Sequence, residues 1–358
     1  MKGLIRVERW LLGPGGALPR GTCMKPFKRG LLVAASVLLG STQASAADRP
    51  FNPSIFGTRA VVACDPVEKS CGMAVISFPS GVSGLVPYGR SDVAVATMAL
   101  PSVDDAQAVI ARIDSGTAPQ EAIDTVLASD PYAPIRQLAA VKLHPDGSVT
   151  VGQRSGSENS EHTCSIKGDT FVVQANNMST PDMCRAMADG FRQARGSLPQ
   201  RLYASLKAGA RVGGDRNGER SGVIRVWNST IETAFYTHVL AEAVVHGSTR
   251  ALQELGVELN RYQGTLADVF PADRVTLDAD TARDVKRVLR KLGYYHGRMD
   301  GSWSDAAEQA LYDFAWNNLF FLKPTVVENG TRKIDGVLVH FLRDADLGAF
   351  VRATPSAD

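Results

Sequence analysis

Gly57-Thr58-Arg59-Ala60-Val61-Val62-Ala63-Cys64-Asp65-Pro66 is the stretch that decides the fold. Its apolar middle, closed by Asp-Pro, reads as the first strand of the mature chain. A tight turn and a second strand, Gly72-Met73-Ala74-Val75-Ile76-Ser77, follow it. A Gly-Thr step at the mouth of a core strand has two readings. In one, Thr58 only starts a strand, as threonines often do. In the other, the bond is a cleavage point that exposes Thr58 as a new N-terminus. An N-terminal threonine brings a hydroxyl nucleophile and, in its own α-amine, a base within reach.

Cys64 and Cys71 flank the turn Asp65-Pro66-Val67-Glu68-Lys69-Ser70, so a hairpin sets them face to face. A disulfide there suits an oxidising compartment; free buried thiols are the alternative. Cys164 and Cys184 are the leftover pair once Cys23 goes with the leader, and a second bridge between them is open. Neither pair has zinc-type spacing, and the six histidines are scattered without a metal pattern. No metal and no cofactor are expected.

Upstream, Lys28-Arg29, the apolar run Leu31 to Leu39 and Ala44-Ser45-Ala46 follow signal-peptide grammar. The run is too short to span a bilayer, and no cysteine follows in lipobox position. The charged segment of a leader normally lies near the initiator methionine, which points to Met24 as the start. A long leader from Met1 is the alternative. Residues 1–46 hold seven Lys/Arg and one Glu, so the net charge of +2 becomes −4 without them. A mildly acidic body disfavours nucleic acid as a partner. Nothing membrane-bound is expected after leader removal, and the location is periplasmic or secreted.

Downstream, residues 47–57 form an irregular lead-in with two prolines. Val93 to Thr97 reads as a strand. A helix capped by Ser102 follows, then one with Pro119 in its first turn. Arg136 to Leu143 and Ser148 to Gly152 are strands around the turn His144-Pro145-Asp146-Gly147. Thr170 to Asn176 is another strand. Pro181 to Ala194 and Leu198 to Ala208 are helical, and a glycine-rich loop, Gly213 to Gly218, leads to two closing strands over Gly222 to Trp227 and Glu232 to Val245. That loop lacks Gly-Lys-Ser/Thr and is no phosphate loop. Strands, helices, strands, helices, strands is the order of helices packed outside two stacked sheets. Residues 247–279 read as a helix and linker. From 280 to 350 three short helices surround the turn Tyr294 to Trp303, making a small separate unit.

Residues 58–246 resemble the bacterial family catalogued as domain of unknown function 1028 (DUF1028). The resemblance rests on Thr58, Ala60 to Ala63 and Asp65-Pro66; on Gly72-Met73-Ala74-Val75 with Ser77, Val86-Pro87-Tyr88 and Ala94-Val95-Ala96-Thr97; on Asp130-Pro131 with Arg136-Gln137 and Gln174 with Asn176; and on Gly213-Gly214-Asp215 with Gly218, Ser221 and His246. Arg59, Met98, Arg220 and Val244-Val245 depart from the pattern. Residues 280–345 resemble the three-helix peptidoglycan-binding domain often attached to that family, through Leu292-Gly293-Tyr294-Tyr295, Gly297, Asp300-Gly301, Trp303, Ala310-Leu311, Phe314 and Ile334-Asp335.

The resemblance implies an α+β fold: a four-layer αββα sandwich of the N-terminal-nucleophile (Ntn) hydrolase type, followed by a small three-helix domain. It implies Thr58 as nucleophile after removal of 47–57. Asn176 and Gln174 would supply amide donors to an oxyanion. Asp215 would orient Thr58 or its amine, and Ser221 would hydrogen-bond in the same group. The bland readings are polar side chains closing a strand for Gln174 and Asn176, and a turn aspartate for Asp215. In the C-terminal unit Tyr294 and Trp303 read as core. Tyr295, Arg298 and Asp300 read as ligand residues. Expected partners are peptidoglycan or its fragments, a small amide substrate and a second copy of the chain. The competing expectation is a non-catalytic envelope binding protein on the same scaffold.

Overall fold

The computed structural model describes residues 56–233, 236–265, 271–318, 320 and 325–343. The leader, the Met24 start and residues 47–55 lie outside them.

The first strand, β1 (Thr58–Asp65), is buried on both faces until Asp65. This is why it reads as a continuous apolar run rather than an alternating one. Ala60, Val62 and Cys64 face a second sheet, while Val61 and Ala63 face helices. β1 lies between β2 (Ser70–Ser77) and β8 (Phe171–Asn176). β7 (Cys164–Lys167), β9 (Ser221–Thr233) and β10 (Tyr236–Val245) complete a six-stranded sheet of order β10-β9-β2-β1-β8-β7. The second sheet has the order β3-β4-β5-β6, from β3 (Pro87–Arg90), β4 (Val93–Ala99), β5 (Arg136–Leu143) and β6 (Val149–Ser155).

Three apolar clusters mark four layers. One fills the space between the sheets. A second packs α1 (Val103–Asp114) and α2 (Pro119–Leu127) on the four-stranded sheet. A third packs α3 (Met183–Gln193), α4 (Leu198–Arg211) and α5 (Ala251–Thr265) on the six-stranded one. The layers run αββα, as expected. Ser102 caps α1 through the Asp105 amide at 3.1 Å, also as expected. Two strands escape the sequence reading: β3 and β7 have four residues each and carry glycine, arginine or lysine. The helix of the presumed linker belongs to the first core, since Ala251, Leu255 and Leu259 pack in it.

Two disulfides are present among the described residues. Cys64–Cys71 closes the β1–β2 hairpin, and Cys164–Cys184 fastens β7 to α3.

Among the described residues the C-terminal unit has three helices, α6 (Ala279–Lys291), α7 (Asp305–Asn317) and α8 (Gly336–Arg343). It also has a small sheet that the periodicity does not announce. β11 (Arg274–Thr276), β12 (Val326–Glu328) and β13 (Thr331–Asp335) pair in the order β11-β13-β12, each too short to show a pattern. The unit is tied to the first by the Asp273 carboxylate, which accepts from the Ser197 amide at 2.7 Å, and by α8 lying against α5.

Candidate functional site

Strand register assembles the site. Thr58 lies opposite Ser77 on one side and Asn176 on the other, and Ser77 lies opposite Ser221. Directly paired residues share a face. Four adjacent strands, β8-β1-β2-β9, therefore present Asn176, Thr58, Ser77 and Ser221 in one row at the same end of the sheet. Gln174 is one same-face position further along β8, opposite Ala60. All five are buried.

The peptide bond before Thr58 is held from several directions. Its carbonyl, that of Gly57, accepts the Ser77 hydroxyl at 2.8 Å and the Phe78 amide at 3.0 Å. Thr58 Oγ1 lies 2.8 Å from Ser77 Oγ. A serine hydroxyl has a single proton. Ser77 spends it on Gly57, so Thr58 must donate to Ser77. The result is a directed chain, Thr58 O–H to Ser77 O–H to Gly57 O=C, which leaves the Thr58 oxygen lone pairs unspent.

Asp215 closes the site from above. It sits in the loop between α4 and β9, anchored by a bridge to Met178 and by the Asn217 amide, which donates to Oδ1 at 2.8 Å. A Cβ at position 57 would fall 1.8 Å from Asp215 Oδ2. Glycine is needed there for lack of space. Torsional freedom is not the reason, because Gly57 is not among the positive-φ residues. Burial pushes the Asp215 carboxyl up to about 6, against the pull of the Asn217 amide and the Arg59 charge. Its Oδ2 is buried with no hydrogen-bond partner, as is Asn176 Oδ1. Buried orphans of this kind are rare in folded proteins.

The amides that the resemblance assigns to an oxyanion are engaged elsewhere in this uncut chain. Asn176 Nδ2 donates to Gln137 Oε1 at 2.8 Å. Gln174 Nε2 donates to the Arg154 carbonyl at 3.0 Å and to Gln153 Oε1 at 3.3 Å. The donors on the Gly57 carbonyl are instead Ser77 and the Phe78 amide. Ser221 is adjacent by register, but its hydroxyl donates to the Pro79 carbonyl at 2.5 Å and accepts from the Val82 amide at 3.4 Å. It holds the loop after β2 and not the Thr58 group. Sequence reasoning gave Ser77 and Gln137 no role. Both lie within quoted motifs, but only the pairing of distant strands sets them beside Thr58 and Asn176.

Arg59 points to the opposite face of β1, beneath α4. It is fully buried, ion-paired with Glu219 and bonded to the Leu206 carbonyl at 3.3 Å. Gly209 leaves room for it: a Cβ there would come within 3.0 Å of Arg59 Nε. This departure from the family pattern therefore leaves the Thr58 face intact. A cavity of about 580 Å³, bounded by Phe171, Arg192, Arg195 and Arg201, lies at the far end of β8, away from Thr58. Among the described residues no group of three or more His, Cys, Asp or Glu side chains is placed to hold a metal.

In the C-terminal unit the turn expected to bind ligand is largely self-satisfied. Tyr295 is 3% exposed and its hydroxyl donates to the Arg298 carbonyl at 2.8 Å. The buried Lys286 ammonium donates to the carbonyls of Arg298 and Ser302 and to Asp300 Oδ1. The Ser302 hydroxyl, which donates to Asp300 Oδ1, and then the Lys286 ammonium hold the Asp300 carboxyl down at about 2. Of the three expected ligand residues Arg298 has the most exposed side chain, at 92%, with its Nε 3.5 Å from Asp300 Oδ2. Tyr294 packs edge-on against Phe314 in the core, as expected.

Residues 58–255 match the model described as "Family of unknown function (DUF1028)". The chain belongs to the DUF1028 family. Residues 265–342 match the model described as "Putative peptidoglycan binding domain". Among solved structures, this DUF1028 chain is similar to protein SPO2555 from Silicibacter pomeroyi, itself matched to DUF1028. The identity is 20% and the TM-score 0.50, over 58% of this chain and 89% of that one. That likeness speaks for the fold alone. No curated protein matches. No helix of the described residues is long and apolar enough to cross a membrane.

Proposed function

We propose that this DUF1028 chain is an Ntn-type amidohydrolase of the cell envelope, armed by cleavage of its own Gly57–Thr58 bond. The observation that carries the reading is the grip on the Gly57 carbonyl by Ser77 and Phe78, with Thr58 Oγ1 hydrogen-bonded to the same serine. In the first step Thr58 Oγ1 bonds to the Gly57 carbon; its proton passes to Ser77 Oγ as Ser77 passes its own to the Gly57 oxygen. Charge developing on the Gly57 oxygen is met by two donors already in place; one such donor is typically worth about 10²–10³ in rate. The C–N bond then breaks as the Gly57 oxygen gives up that proton to the Thr58 nitrogen and its carbonyl re-forms, and an ester joins Gly57 to Thr58. Water hydrolyses the ester and releases residues up to Gly57. Thr58 is left with a free hydroxyl and a free α-amine, the pair that N-terminal catalysis needs.

In the armed enzyme the Ser77 hydroxyl and the Phe78 amide, vacated by Gly57, serve the oxyanion of an external amide. Asp215 lies beside the new amine and receives its hydrogen bond. The substrate is a small or wall-derived amide. The C-terminal domain associates the protein with the cell wall, which suits a periplasmic or secreted location.

A threonine-directed electrophile such as a β-lactone tests the reading. Acylation should fall on Thr58 of the cut protein and be blocked in Thr58→Ala. Labelling spread over several residues, or none on a chain already cut at Thr58, would contradict it.

A further inference from the structure

In the turn at 294–303 Tyr295 and Asp300 are held by hydrogen bonds within the unit, and the flat aromatic surface lies elsewhere on it. Among the described residues the exposed aromatic side chains are Tyr132, Tyr312 and Trp316. Two of the three stand together on α7. Tyr312 is 58% exposed and Trp316 63%. Their ring centroids are 6.3 Å apart and the planes are within 15° of parallel. The same stripe of α7 carries Gln309, whose amide donates to Asp313 Oδ1 at 2.8 Å. The opposite side of the helix buries Ala307, Ala310, Leu311, Phe314 and Ala315 in the core.

From this arrangement we infer that the outer stripe of α7, Gln309, Tyr312, Asp313 and Trp316, is a platform for the sugar rings of a glycan strand. The inference rests on the cell-wall association above and gives it a place on the surface. A pyranose ring has an apolar C–H face and a rim of hydroxyls. Near-parallel aromatic rings offer the first a flat partner, and the neighbouring amide–carboxylate pair offers the second acceptors and donors. A stacked pair at i, i+4 stabilises a helix only slightly. Two large rings held largely in water are the sort of exposed apolar surface that usually marks an interaction site. An acidic residue within the stripe speaks against an anionic partner.

The experiment is co-sedimentation of the full chain with purified peptidoglycan sacculi, backed by Trp316 fluorescence titrated with N-acetylglucosamine oligomers. Wild type should sediment. Tyr312→Ala and Trp316→Ala should each weaken binding roughly tenfold, as anchor residues of a small interface do. Trp316→Phe should keep most of it, and Arg298→Ala should leave it unchanged. Because both side chains are exposed, the melting temperature should stay close to that of wild type, which separates loss of binding from loss of fold. A double variant lacking both rings that sediments as well as wild type would overturn the platform while leaving cell-wall association standing. Wild type that does not sediment at all would overturn both. If the ring variants instead turn a dimer into a monomer with sedimentation unchanged, the stripe is a self-association surface and the proposal fails.

Discussion

Gly57 carries the strictest steric demand in the molecule's functional region. Any side chain there would run into the Asp215 carboxylate. Gly57→Ala should therefore displace Asp215 or the scissile bond and abolish processing, read as the uncut mass on a gel or spectrometer. Ser77→Ala keeps the strand but removes one of two carbonyl donors and the proton path from Thr58. Processing should slow by about 10²–10³, while Ser221→Ala, whose hydroxyl serves the 79–82 loop, should slow it far less. Asp215 adds a pH dependence. With its carboxyl pushed up to about 6 by burial, amide hydrolysis by the cut protein should rise as pH climbs through that value, because the ionised carboxylate is the form that accepts from the Thr58 amine, and level off above it. In Asp215→Asn the inflection should vanish. A profile unchanged by that substitution would remove Asp215 from the site.

At the scale of elements, β1 was the most legible segment, because an unbroken apolar run bounded by Asp-Pro has few alternatives. The caps of α1 and the Pro start of α2 were legible for the same reason: their chemistry is local. What the sequence hid was non-local. Ser77 and Gln137 become site neighbours only when distant strands pair, and the burial of Tyr295 depends on Lys286 lying over its ring and on the Arg298 carbonyl that takes its hydroxyl proton. The strands β3, β7 and β11 to β13 are too short to carry a period. β7 is an edge strand of four residues, and the Cys164–Cys184 bridge fastens it to α3. Replacing both cysteines with serine should cost about 3 kcal/mol, measurable by denaturant unfolding. The β7 amides should then exchange hydrogen faster than those of β1.

At the scale of the whole molecule, the N-terminus of α4 is where parts of the chain meet. Glu68, from the β1–β2 turn, accepts the Leu198 amide through both oxygens at 3.2 and 3.0 Å, and Asp273 accepts that of Ser197. Burial pushes Glu68 up to about 7 from an ordinary value near 4.5, despite the helix amide. A carboxyl raised in the folded state binds its proton more tightly there than in the unfolded chain. It favours the fold most below pH 4.5, and this contribution is lost as pH rises through about 7. Thermal unfolding between pH 5 and 8 should show falling stability, by at most about 3 kcal/mol from this group, and Glu68→Gln should flatten the slope. The same helix end joins the αββα sandwich to the C-terminal unit. Truncation after α5 should therefore destabilise the first unit as well as remove the second.

The most direct measurement is the intact mass and N-terminal sequence of the protein recovered from the envelope or medium of its host, beside Thr58→Ala. The account predicts a wild-type chain that begins at Thr58 and a variant that still carries the residues before it. A wild-type chain beginning near Ala47 would leave the threonine nitrogen locked in a peptide bond. It would contradict the nucleophile and leave a wall-associated binding protein on an Ntn-like scaffold.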